Sequence, residues 1–155
     1  MKLLQKIISF VTCIFLVLMV LLALWQVISR YALKNPSQFT DELLRFMLIW
    51  TGMLGAVYAF IDEKHLSLIF LRNKLNKKWQ GATIIFSYIM TLLFSVLILL
   101  WGGIRLSLST VNQLSPIMKL PMGIVYSIIP ISGFLITLIT IFNVYIRIKQ
   151  LKGGN

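Results

Sequence analysis

The chain has 155 residues, of which 59% are hydrophobic and only 12% are charged, and its formal net charge is +11. A soluble domain normally carries about 25% charged residues, so this composition argues against a soluble fold. The mean hydropathy of +0.91 supports the same conclusion. The basic excess does not indicate nucleic-acid binding, because the charges flank long apolar segments and form no basic stripe on a soluble face.

The first apolar run covers residues 7–29, between Lys6 and Arg30. About 20 apolar residues suffice for a helix to cross the hydrocarbon core, so this run predicts a first transmembrane span. Lys2 and Lys6 precede it as they would in a signal peptide. However, the run is long for such a peptide and no A-x-A-like site ends it, so we expect it to be retained. Cys13, the single cysteine, predicts a small hydrophobic side chain within the span.

A polar connector containing Pro36 precedes the second predicted span, at about residues 43–61. We expect Thr40 to cap this helix, and Asp41 and Glu42 to complement its positive N-terminal dipole.

The first turn of the second span also suggests an ion pair. Asp41 and Glu42 lie four and three residues before Arg45, a spacing that brings side chains together on a helix. We favour an intrahelical pair at the helix end, with contact to a partner subunit as the alternative.

Small residues recur four apart further along the second span, as they do where helices approach closely in lipid. Packing within the chain and packing against a partner explain this pattern equally well. The pairs are Gly52 with Ala56 and Gly55 with Ala59.

The segment at about residues 66–79 is too short and too charged to span a membrane. Apolar residues recur in it at helical spacing among basic ones, which predicts an interfacial amphipathic helix; a solvated basic loop is the alternative. Its predicted membrane-interface residues are Arg72, Lys77, Lys78 and Trp79. His65, just before it, has no nearby cysteine or histidine for a metal site, so we expect an interfacial polar role.

Two more apolar runs predict a third span at about residues 80–104 and a fourth at about 121–146. The loop between them contains two prolines, and the fourth helix is expected to begin near Pro121. Pro130 lies inside the fourth run and predicts a kink or a freed carbonyl.

Ten of the fifteen basic residues fall at the two termini and in the segment between spans two and three. This bias predicts that both termini are cytoplasmic. The expected fold is therefore an all-α membrane protein that forms one domain over residues 1–155, with four transmembrane helices and a short interfacial helix.

The predicted spans lack the groups that catalysis or ion coupling requires. No apolar run carries a carboxylate, histidine or lysine near its middle, where coupled carriers usually place ionisable groups. There is no nucleophile motif, phosphate-binding loop or metal-ligand spacing. We therefore expect no enzyme activity, catalytic residue, substrate site, metal or cofactor in this chain, and a role in supporting a larger partner.

Three ordered motifs resemble the small membrane subunit, the DctQ-like component, of tripartite ATP-independent periplasmic (TRAP) transporters. They are ISRY at residues 28–31, TDELLRFMLIWTGMLGAVYAF at 40–60 and SPIMKLPMGIVYSIIPISG at 115–133. The resemblance covers roughly residues 25–135.

The resemblance implies a scaffold subunit in the bacterial inner membrane. Its partners would be membrane lipids, a large permease subunit that performs sodium-driven transport, and a periplasmic solute-binding protein. The substrate would be an organic acid of the sialic acid, diketogulonate or C4-dicarboxylate class. Arg30 and Lys34, predicted on the periplasmic side, are candidate residues for docking that protein, and a charge that contacts lipid headgroups or sets the topology is the alternative. A stand-alone membrane assembly or signalling module without a transport role is the alternative.

Overall fold

The structure, a computed structural model, describes residues 2–61 and 77–152. Every secondary-structure element longer than an isolated bridge in this part of the chain is a helix. The elements in chain order are α1 (Lys2–Tyr31), α2 (Gln38–Ile61), α3 (Lys77–Leu93), a π-helical segment (Phe94–Gly102), α4 (Gly103–Ser109), α5 (Met122–Tyr126) and α6 (Ile128–Lys152).

Four stretches of helix are long and apolar enough to cross a membrane: Leu3–Tyr31, Gln38–Ile61, Ile85–Ser109 and Met122–Ile146. The prediction of four transmembrane helices is therefore confirmed at the level of helix number and length. The helices extend beyond the predicted apolar runs because charged residues at their ends continue the helix after the apolar part stops.

The start of α2 differs from the prediction. Ser37, not Thr40, occupies the capping position, one residue before the helix begins at Gln38. The Ser37 hydroxyl lies 3.4 Å from the backbone nitrogen of Thr40 and 2.8 Å from its hydroxyl. Ser37 takes this role because a capping side chain accepts from the third residue of the helix.

The third span is built from three consecutive helical segments. Helix α3 passes into the π-helical segment, which passes into α4. Leu93, Gly102 and Gly103, at the joints, all keep right-handed helical dihedral angles. The span is therefore one continuous helix with a π-helical middle section of 9 residues.

The fourth span is interrupted near its start. Proline has no backbone N–H, so Pro130 cannot donate to the carbonyl four residues earlier, at Tyr126. Helix α5 ends at Tyr126 and α6 begins at Ile128. The Ser127 hydroxyl, between them, donates to the Ile124 carbonyl at 2.7 Å. Pro130 predicted a kink or a freed carbonyl, and the helix assignment changes at Ser127, one turn before the proline.

The helices form an open layer. Among the described elements, α1 packs only against α2, α2 packs also against α5 and α6, and α6 packs against the third span. The fourth span is the most enclosed, with 39% of its most apolar stretch buried, and the third is the least, with 6%. The second and fourth spans therefore form the centre, while α1 and the third span form the flanks.

Glycines allow the third and fourth spans to pack closely. A Cβ added at Gly133 would lie 2.7 Å from the Leu99 Cβ, and one added at Gly103 would lie 2.9 Å from the Pro130 ring. A Cβ at Gly123 would lie 2.6 Å from the Ser107 carbonyl oxygen. Only glycine fits these contacts without displacing backbone or proline atoms.

The proposed interfacial helix at 66–79 falls mainly on residues 62–76, which lie outside the described residues, and so it stays a prediction. His65 and Arg72 lie there too. Lys77, Lys78 and Trp79 are the first residues of α3. The cytoplasmic location of the termini also stays a prediction.

Candidate functional site

Several polar contacts between distant parts of the chain gather at one end of the layer. We call this the loop end. It contains the turn between α1 and α2 (residues 32–37), the first two turns of α2 and the loop before α5 (residues 110–121).

Ser29 fixes the turn between α1 and α2. Its hydroxyl donates to the Asn35 carbonyl and accepts from the Ser37 backbone N–H at 3.1 Å, and Ser29 is only 2% exposed. Within this turn Lys34 has a φ of 50°, in the left-handed region that residues with a Cβ seldom adopt. The turn thus presents Lys34 in one defined backbone conformation.

The loop before α5 folds back on itself as a short hairpin. Residues Leu114 and Pro121 form an isolated antiparallel bridge. The Ser115 backbone N–H donates to the Leu120 carbonyl at 2.8 Å, and the Leu120 N–H donates back to the Ser115 hydroxyl at 3.1 Å. Lys119, near the tip, has a φ of 56°. The loop therefore has an internal hydrogen-bond framework with a lysine at its turn.

Glu42 connects this hairpin to α2. One carboxylate oxygen, Oε2, accepts the backbone N–H of Ile117 at 3.0 Å and that of Met118 at 2.9 Å. Consecutive backbone N–H groups in a turn form a small concave anion site. Glu42 is 7% exposed, so its charge is directed into the chain and stabilises the loop.

Asp41, the neighbouring acid, has a different partner. Its carboxylate lies 2.7 Å from the guanidinium of Arg45, and both side chains are largely exposed. Glu42, in contrast, is directed to the loop backbone. The structure thus separates two acids that the spacing had placed in one helix-end pair.

The charges left at the loop end are basic. Arg30, Lys34 and Lys119 are all exposed. None of them has a carboxylate within 4 Å among the described residues. Arg105, near the end of the third span, lies over the Trp101 ring, with 5.8 Å from its guanidinium carbon to the ring centroid. The loop end therefore combines fixed turns with uncompensated positive charge.

The two glycines of the α2 stripe have open space beside them within the described chain. A Cβ added at Gly52 or Gly55 would meet nothing within 4 Å. Ala56 is half-buried and Ala59 is exposed. Packing of this stripe against a partner stays a prediction.

The described spans contain hydroxyl groups in their interior. Thr137 donates to the Ser95 hydroxyl at 3.0 Å, and Thr140 donates to the Ile136 carbonyl at 2.7 Å. No group of three or more His, Cys, Asp or Glu side chains that could hold a metal occurs among the described residues. The Thr137–Ser95 bond therefore joins the third and fourth spans, while the Thr140 bond lies within α6.

Sequence reasoning missed the partners of Glu42, since the backbone N–H groups of Ile117 and Met118 carry no side-chain signal. It also missed Ser29 and Lys119. The one available hint was the S-P…L-P order of the loop, because Ser115 and Pro121 both belong to its framework.

Together these features define a multi-pass, all-helical membrane protein with a braced polar loop end. Its residues 19–150 match the family model described as "Tripartite ATP-independent periplasmic transporters, DctQ component". The chain therefore belongs to the DctQ family of TRAP transporter small permease subunits, as its motifs had indicated. This family is a transporter component and not an enzyme family.

Two curated proteins are similar to the chain. A candidate TRAP transporter small permease protein of Haemophilus influenzae is 34% identical over 126 residues, which cover 81% of this chain and 78% of that protein. The sialic acid TRAP transporter small permease protein of Vibrio cholerae is 27% identical over 82 residues, which cover 50% of this chain and 47% of that protein.

Proposed function

We propose that this chain is the scaffold beside a large permease subunit in a TRAP transporter of the bacterial inner membrane. The large subunit would carry the sodium and substrate sites. A periplasmic solute-binding protein would deliver an organic acid of the sialic acid, diketogulonate or C4-dicarboxylate class. Both termini would be cytoplasmic, and the loop end would then face the periplasm.

The observation that carries the proposal is the open layer, with open space beside two glycines of α2. Gly52 and Gly55 have open space where a Cβ would point. Small residues in a transmembrane helix allow another helix to approach closely. Because α1 and the third span flank α2 and α6 without enclosing them, the layer leaves a face along which a larger partner can pack.

Co-purification of the tagged chain with a large multi-span partner tests this proposal. Gly52→Leu and Gly55→Leu should lower the amount of partner recovered, because the added side chains occupy the approach surface. Ala23→Leu is the matched control, since Ala23 is exposed on α1 and gains a similar volume. Transport by the chain alone in proteoliposomes would contradict the proposal.

Lys34 and Arg30 are the proposed contacts for the solute-binding protein. Their exposure and lack of carboxylate partners among the described residues support this role. Arg30→Glu should weaken uptake without lowering the amount of assembled complex. Unchanged uptake would remove Arg30 from the docking surface.

A further inference from the structure

We propose that Glu42 is a positioning residue that holds the hairpin of residues 114–121 so that Lys119 and Lys34 form one preset basic surface. Its occupant would be an acidic face of the soluble solute-binding protein. This inference rests on the proposed function and adds two elements to it: Lys119 as a contact, and Glu42 as the residue that fixes it.

The first step concerns charge. Two acids lie at the start of α2, and both are used within the chain. Asp41 lies 2.7 Å from Arg45, and Glu42 accepts two backbone N–H groups while only 7% exposed. Neither carboxylate therefore neutralises Lys34 or Lys119, and a partner with surface carboxylates complements what remains.

The second step concerns geometry. The turn that carries Lys34 is tied to Ser37 through the Ser29 hydroxyl, and the hairpin that carries Lys119 is tied to Glu42. Ser37 and Glu42 lie five positions apart at the start of one helix. Both lysine-bearing turns are thus anchored on the same end of α2, which fixes the position of one relative to the other.

The third step identifies the kind of partner. Lys34 and Lys119 are the two described non-glycine residues with positive φ, at 50° and 56°. Such a conformation costs about 1–2 kcal/mol for a residue with a Cβ. Mobile lipid headgroups bind a lysine in almost any orientation, so they gain little from this fixed backbone. A folded protein with carboxylates at set positions gains affinity from preorganisation.

The loop also offers apolar surface beside the charge. Leu114 is 59% exposed, Ile117 is 42% exposed and Leu120 is 39% exposed, on both sides of Lys119 in the sequence. Protein interfaces commonly combine an apolar centre with a polar rim. The hairpin therefore has the composition of a contact element.

The experiment measures binding of the purified solute-binding protein of the same transporter to the assembled membrane complex in nanodiscs. Lys119→Glu and Lys34→Glu should each raise Kd about fivefold at low salt, which corresponds to the upper range for an exposed charge pair. The difference should shrink as salt is added. Lys149→Glu is the matched control, since it makes the same charge change on an exposed residue of α6 at the opposite end.

Glu42 is tested through its coupling to Lys119. Glu42→Ala should weaken binding, and the double variant Glu42→Ala with Lys119→Glu should bind much as Lys119→Glu does, because both changes disable the same contact. Glu42→Gln keeps an oxygen acceptor and should restore part of the affinity. If Glu42→Ala prevents assembly, Glu42→Gln combined with Lys119→Glu provides the same cycle.

Three outcomes would overturn this inference. An unchanged Kd for Lys119→Glu would show that Lys119 does not contact the binding protein. Additive effects of the Glu42 and Lys119 variants on the binding free energy would show that Glu42 does not position Lys119. An effect of Lys119→Glu that occurs only in nanodiscs with anionic lipid would assign this lysine to headgroups. In each case the complex would still contain the large permease, whereas failure of the proposed function would appear as loss of that partner from the wild-type preparation.

Discussion

Glu42 and Met118 join the start of α2 to a loop 76 positions further along the chain, through a carboxylate–N–H hydrogen bond of 2.9 Å. The same oxygen also accepts the N–H of Ile117. A single side chain therefore satisfies two backbone donors that the hairpin itself leaves without a carbonyl partner.

Glu42→Ala should lower the free energy of unfolding by about 2 kcal/mol, because hydrogen bonds to charged groups are strong and their loss leaves backbone donors unpaired. Denaturant titration in detergent micelles measures this loss. Hydrogen exchange at the amides of Ile117 and Met118 should accelerate, while Glu42→Gln should have a smaller effect. Unchanged exchange at both amides would show that the carboxylate does not hold the loop.

Asp41→Asn should cost less than about 1 kcal/mol, because exposed ion pairs contribute little. The Asp41–Arg45 pair has side-chain exposures of 43% and 75%. The same denaturant titration compares this variant with Glu42→Ala. If both variants lowered the free energy of unfolding equally, the buried Glu42 would contribute no more to stability than the exposed Asp41.

Gly133→Ala should destabilise the chain by about 1–3 kcal/mol through overpacking. Its new Cβ would lie 2.7 Å from the Leu99 Cβ and 2.9 Å from the Leu100 nitrogen. Gly52→Ala is the control, since its Cβ would meet nothing within 4 Å, and it should leave stability unchanged or slightly raised. If Gly133→Ala and Gly52→Ala changed the midpoint of thermal unfolding equally, that result would argue against close contact between the third and fourth spans.

Trp50→Phe should lower stability by about 0.5–1.5 kcal/mol, the usual contribution of a hydrogen bond. The Trp50 indole N–H donates to the Val125 carbonyl at 3.0 Å, and its ring stacks on Phe15 with centroids 6.2 Å apart. Phenylalanine keeps a ring but has no donor. Trp25→Phe, at a residue that is 50% exposed, should cost less in the same denaturant titration, and the opposite order would contradict the tie between α2 and α5.

The four spans could be predicted because transmembrane helices depend on a local property, a run of apolar residues long enough for the bilayer. The pairing of Asp41 with Arg45 is also local, four residues apart on one helix. An irregularity near Pro130 could be expected from the missing N–H of proline, although its position at Ser127, one turn earlier, needed the helix geometry.

The structure of the loop end and the packing of the helices depend on contacts between residues far apart in the sequence. Nothing near Glu42 in the sequence indicates that it binds Ile117 and Met118, because the donors are backbone groups. Gly133 looked no different from Gly52, yet Gly133 lies against Leu99 while Gly52 faces open space. Single-chain periodicity identifies helices that could pack but not the surfaces that do.

The one-sided attachment of α1 has a consequence for biogenesis. Since α1 packs only against α2 among the described elements, all of its helix contacts can form as soon as α2 has been synthesised. The two helices can enter the bilayer as a pair before the later half of the chain leaves the ribosome. The contact between Glu42 and the hairpin around Lys119 can form only after that later half has been synthesised, because Ile117 lies 75 positions beyond Glu42.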